Sequence, residues 1–243
     1  MNKRKLLALA LGLCMVAILA VGGTLAYFTS EDSAENVFTM GNVKIEVVEE
    51  FEQNSELAPG LKINKDVWVK NTGSKPAYVR VHLAFPAAMD DGNPNFASYN
   101  NFLHWNFTKE SYAEGQWNWS TTVDGSNYPG NGGDWNYYET TIDGEEFAVY
   151  VATYETALEA DAQTATEAIT QVYLDATVDA VANADGSTTY KDTKGNEVTL
   201  TAEEMENITI KVWAEGTQTD TFTDAYNALN TAFGVPGSYN PWN

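Results

Sequence analysis

The sequence predicts an all-β protein: an antiparallel β-sandwich with a long aromatic-rich insertion and short helices at its margins. Three observations lead there. Seven or eight short segments alternate apolar and polar residues with the period of two that half-buried strands require. Turns rich in Gly, Pro, Asn and Asp separate them. Helical spacing is confined to two stretches late in the chain.

The chain opens with Lys3, Arg4 and Lys5, an apolar run over residues 6–23, and the small-residue exit Thr24-Leu25-Ala26. A charged start, an apolar middle and a small-residue exit make a secretory signal peptide, residues 1–26, cut between Ala26 and Tyr27. The run also reaches the lower limit for a spanning helix. Gly22 and Gly23 weaken its end, however, and no basic stop-transfer cluster follows. Membrane contact is therefore expected only in transit, and residues 27–243 are expected to form one secreted domain.

Residues 42–49 put Val43, Ile45 and Val47 on one side and Lys44 and Glu46 on the other, as a strand would. Pro59-Gly60 marks a turn. Residues 65–70, built on Val67 and Val69, form a second strand, and residues 77–85 a third. In the third, Val79, Val81 and Leu83 face one way and Tyr78, Arg80 and His82 the other. Residues 86–146 then lose aliphatic alternation and gain Trp105, Trp117, Trp119 and Trp135. So long a structureless loop is improbable in a compact domain, so this insertion is expected to hold short strands and to pack through its aromatics.

Strand pattern returns at 147–154, 168–174 and 208–215. Asp185-Gly186-Ser187 and Lys194-Gly195-Asn196 predict hairpin turns around a short strand. Thr201 and Glu204 have the spacing of a capping box on one helical turn. Residues 223–233, with Ala225, Leu229 and Ala232 on one face, predict a short helix stopped by Gly234 and Pro236.

Charge and cysteine usage narrow the function. The whole chain carries a formal charge of −21, and loss of the three basic residues in 1–26 leaves ten basic against thirty-four acidic side chains, or −24. Such a surface repels nucleic acid and favours solubility. The single cysteine, Cys14, lies in the leader after Leu13, where a lipoprotein signal wants a small residue. The exported domain therefore has no disulfide and no thiol nucleophile, which fits a Gram-positive exoprotein.

Several stretches resemble one family. The junction from Gly22 through Tyr27, Phe28, Thr29, Ser30 and Glu31 resembles the TasA/camelysin family, as do Asn36-Val37-Phe38-Thr39-Met40-Gly41, residues 57–69 and Lys70-Asn71-Thr72-Gly73-Ser74. Weaker similarity covers residues 147–178 and 208–233, and none covers 86–146. The resemblance implies a jelly-roll sandwich, export through a SipW-type signal peptidase, and a structural role as a subunit of extracellular biofilm fibres. It further implies that the N-terminal segment 27–41, starting at Tyr27, Phe28, Thr29 and Ser30, is a donor strand that pairs with the next subunit. The implied partners are copies of the chain itself and minor matrix proteins, and the implied location is extracellular or at the cell surface.

The camelysin branch also carries a metallopeptidase label. A zinc peptidase of the H-E-x-x-H type needs two histidines one helical turn apart, and only His82 and His104 exist here. Neither has that motif. No G-x-S-x-G elbow is present, and Glu145-Glu146 and Glu203-Glu204 read as solvated turns. Asp90-Asp91-Gly92-Asn93 lacks the series of an EF-hand and reads as a polar turn. The expectation is therefore no enzyme, no catalytic residue, no cofactor and no metal. A rival reading is a carbohydrate-binding module in which Trp117 and Trp119, two residues apart on one strand face, stack sugar rings.

Overall fold

A computed structural model describes residues 42–51, 58–90, 102–106, 116–121, 135–206 and 208–242. The strands run, in chain order, β1 (Ile45–Phe51), β2 (Ile63–Asn71), β3 (Ala77–Pro86), β4 (Leu103–Asn106), β5 (Trp117–Asn118) and β6 (Tyr137–Ile142). They continue as β7 (Glu145–Leu158), β8 (Gln171–Leu174), β9 (Asp179–Ala182), β10 (Thr188–Lys191), β11 (Glu197–Leu200) and β12 (Lys211–Gln218). The helices are α1 (Ala202–Glu206) and α2 (Ala225–Phe233).

Every pair of named strands is antiparallel, as an alternating pattern with short turns dictates, and an isolated bridge between Pro59 and Leu174 is parallel. One sheet has the order β1-β2-β8-β4, another β12-β3-β7-β5, and a small third sheet β11-β10-β9. Val67 and Val69 of β2 and Val172 and Leu174 of β8 share a buried core with Val79, Val81 and Leu83 of β3 and Ala148, Tyr150 and Ala152 of β7. The two larger sheets thus form the expected sandwich. At about 25 cal/mol per Å² of apolar surface buried, this shared core is the main force holding them together.

β7 is the longest strand and acts as the spine. β3 occupies one of its edges, while β6 pairs with residues 145–150 and β5 with residues 153–154 along the other. β4, β5 and β6 all come from the insertion. The insertion is therefore woven into both sheets, and the described residues alone hold twelve strands where seven or eight were expected.

The sandwich narrows where β1 approaches β12. A Cβ on Gly216 would lie 2.7 Å from Ile45 Cγ2, so only glycine permits this approach. The turn and cap chemistry follows the sequence. Thr201 and Glu204 exchange capping-box bonds, with Thr201 N–H donating to Glu204 Oε2 at 2.7 Å and Glu204 N–H to Thr201 Oγ1 at 3.2 Å. Asp224 caps α2 by accepting from Asn227 N–H at 2.8 Å, and Gly234 ends it at φ 96°. Ala225, Ala228 and Leu229 are the buried residues of α2. Ala232, expected inward, is exposed, because the buried stripe follows i, i+3, i+4 and stops a turn earlier.

Candidate functional site

The insertion tryptophans come first, because one functional reading depends on them. Trp117 and Trp119 are only 2% and 1% exposed. Trp117 donates its indole N–H to Thr166 O at 3.0 Å and packs edge-on to Tyr154. Trp119 lies 4.9 Å from Trp105, centroid to centroid, in a cluster with Trp135. Trp105 also stacks on Phe85 of β3 and meets Tyr150 of β7. Stacking of sugars on Trp117 and Trp119 is thereby overturned. A large aromatic body gains more from burial in the core than it could from a solvent-facing platform, and these rings tie the insertion to both sheets.

The opposite face of the β3–β12 sheet carries a buried polar network that alternation alone did not reveal. Arg80 and His82 project from β3 and Glu215 from β12, with Arg80 paired to Glu215 and His82 to Trp213 in register. Arg80 is 1% exposed, and its Nε donates to Glu215 Oε2 at 2.6 Å. Its Nη1 donates to Asn230 Oδ1, and its Nη2 to Gly234 O and Tyr239 Oη. The rings of Phe233 and Tyr239 each lie 5.7 Å from the guanidinium carbon. Tyr239 O–H in turn donates to Glu215 at 2.7 Å.

Glu215 can only accept, so His82 Nε2, 3.3 Å from its Oε2, carries the proton, and His82 Nδ1 accepts from Tyr138 O–H at 3.0 Å. Tyr138 Oη accepts from Trp242 Nε1 at 3.1 Å. Burial holds His82 below the usual histidine range against the opposing pull of Glu215, which keeps the ring neutral. Burial alone would raise the Glu215 carboxyl, but His82, Arg80 and Tyr239 reverse it to about 2. Burial pushes the Tyr138 phenol up to about 12. The bonds to Asn230, Gly234, Tyr239 and Trp242 tie α2 and the C-terminal segment to the sheet, so the network is a structural clasp.

His104 lies in β4, in the other large sheet, with Nε2 3.0 Å from Asp175 Oδ2 and its ring stacked on Tyr173. Burial lowers its pKa against the pull of Asp175. The two histidines thus belong to different sheets and different partners. Among the described residues no three His, Cys, Asp or Glu side chains come together as a metal-binding group. Among the described residues, the donors around His82 and His104 therefore do not fit a zinc centre.

Of the acidic candidates, Asp90 is buried and accepts from Tyr150 O–H at 2.8 Å, whereas Asp91, Gly92 and Asn93 lie outside the described residues. Glu145 and Glu146 begin β7, so the turn is Asp143-Gly144 and not the glutamates themselves. Glu203 and Glu204 sit in the first turn of α1.

The remaining site residues belong to the proposed assembly segment. Ala26, Tyr27, Phe28, Thr29 and Ser30 lie outside the described residues. What the structure does describe is the edge beyond them. β1 pairs with β2 through all seven of its residues and has no strand on its other side among the described residues. Val43, Ile45 and Val47 lean on the core, while Phe51 is exposed.

Residues 3–115 match the family model of the camelysin metallo-endopeptidases. Over that stretch the chain is similar to the camelysin family. The match covers the N-terminal segment and β1 through β4; it takes in residues 22–85, which carry most of the resemblance, and also runs into the insertion, where none was expected, while residues 147–178 and 208–233 lie outside it. Camelysins are described as metallo-endopeptidases, and neither His82 nor His104 is placed here for that chemistry. No curated protein matches the chain.

Proposed function

We propose that this chain is a secreted, non-enzymatic structural protein that assembles outside the cell into fibres or matrix. Cleavage between Ala26 and Tyr27 by a SipW-type peptidase frees residues 27–41, and this segment adds as a strand to the edge of another copy. The observation that supports the reading is the edge of β1 that no described strand covers, beside an apolar face continuous with the core. An added strand gains main-chain hydrogen bonds there, and alternate side chains fill the adjoining surface. Tyr27 and Phe28 point to opposite faces of such a strand, so one of them anchors in the acceptor. Minor matrix proteins are further partners in this reading. Chain 27–243 is expected to form filaments visible by electron microscopy, and chain 37–243 to stay monomeric. Equal polymerisation of the two sinks the proposal.

The family description favours a second reading, an endopeptidase. Hydrolysis of casein by the purified chain, abolished by a chelator and restored by zinc, would establish it. Equal casein stability with and without the protein leaves the structural role.

A further inference from the structure

The face that carries the clasp changes character at its open end. Lys211, Trp213 and Glu215 alternate on one side of β12. Glu215 is buried among Arg80, His82 and Tyr239, but two residues earlier Trp213 is 44% exposed. It is the only tryptophan among the large hydrophobic residues exposed in the described part of the chain. Trp242 stands beside it, with ring centroids 6.3 Å apart and planes inclined at 55°. The orientation of Trp242 is fixed by its bond to Tyr138. The two indoles thus form a ledge, with Trp213 as floor and Trp242 as side wall.

Polar groups border the ledge. Lys211 Nζ bonds Asp143 Oδ2 at 2.6 Å and lies 5.5 Å above the Phe147 ring. Asp143 sits at φ 56° beside Gly144 at φ 92° in the tight β6–β7 turn, so the ion pair stands at the tip of a hairpin. Lys211 and Trp213 lie about 7 Å apart along the strand, roughly the span of one sugar ring. The site therefore offers an aromatic face, an ammonium donor and a carboxylate acceptor side by side.

We propose that this ledge binds a hexose ring of a neutral polysaccharide. The negative face of an indole attracts the weakly positive C–H groups on the flat side of a pyranose, and the ion pair meets its hydroxyls. A few fixed polar groups beside aromatic surface are the usual make-up of a ligand site. The formal charge of −21 repels polyanions, which selects a neutral glycan. The ledge is open and lies on a sheet face, which suits a long chain laid across it. This site is independent of strand pairing at the N-terminus.

The test is affinity electrophoresis of the secreted chain in gels containing laminarin, soluble starch, mannan or hydroxyethylcellulose, with alginate as the acidic comparison. Retardation is expected with at least one neutral glycan and not with alginate. Trp213→Ala should weaken that binding at least tenfold with an unchanged melting temperature. Lys211→Ala should weaken it severalfold, and Phe51→Ala, on the other sheet, should leave it unchanged. Absence of binding to all four neutral glycans, or binding that Trp213→Ala does not alter, overturns the proposal. So does a Trp213→Ala variant whose only defect is reduced self-association, because the ledge would then be a contact between copies.

Discussion

At the scale of the residue, Glu215 decides whether the clasp is an asset or a burden. Arg80 and Glu215 are both nearly inaccessible, and ions taken from water repay their desolvation only when their remaining hydrogen bonds are met. Here four guanidinium N–H contacts are used, and the carboxylate accepts from Arg80, His82 and Tyr239. Removing one partner strands the other, so Glu215→Ala should cost about 3–5 kcal/mol in urea unfolding, and Glu215→Gln distinctly less. The same groups set an acid limit. Glu215 titrates near 2 when folded against 4.5 in the ordinary range, so unfolding takes up a proton in that window. Stability present above pH 4.5 is therefore lost as pH falls toward 2. His82, held neutral by burial, acts in the same direction as pH falls below 6.5. Urea midpoints measured from pH 7 to pH 3 should fall steadily, and Glu215→Gln should flatten the lower part of that curve.

At the scale of the element, the close approach of β1 to β12 gives the sharpest packing prediction. Gly216→Ala places a methyl group 2.7 Å from Ile45 Cγ2, a β-branched carbon on a paired strand that cannot swing away. Overpacking of this kind costs about 1–3 kcal/mol. Combining it with Ile45→Ala should remove most of that cost beyond the effect of Ile45→Ala alone, which a double-mutant cycle by urea unfolding measures. β1, β2, β3 and β7, the two hairpin turns and both helices were legible in the sequence because period-two alternation, Gly-containing turns and capping residues are local signals. Short strands were expected in the insertion, but β4, β5 and β6 could not be placed, since strands of two to six residues rich in Trp, Tyr and Asn show too few alternations to locate. The clasp escaped for a different reason. Arg80 and His82 alternate with Val79, Val81 and Leu83 exactly as solvent-facing residues would, and Glu215 lies 135 residues from Arg80. The available hint was the run Ala225, Ala228 and Leu229, an apolar helix stripe that needs a sheet face to cover.

At the scale of the whole molecule, the edges matter more than any cavity. A strongly negative chain resists casual association, so copies meet through a specific, short-range contact or not at all. An open strand edge supplies such a contact and is also a hazard, which makes release of the pairing segment by cleavage a sensible control. The camelysin match spans this segment, β1 to β3 and the insertion as far as residue 115, and strands of the tryptophan-bearing insertion are built into both sheets. The two proposals thus fall on separate places, strand donation on the N-terminal part of the chain and glycan recognition on the first residues of β12. Competition by a synthetic peptide of residues 27–41 tests strand donation most directly, because every subunit stays intact. Added in excess to chain 27–243, the peptide should occupy the acceptor edge and stop filament growth in light scattering, while a scrambled peptide has no effect. Filaments that grow at the same rate with the peptide as without it would contradict strand donation.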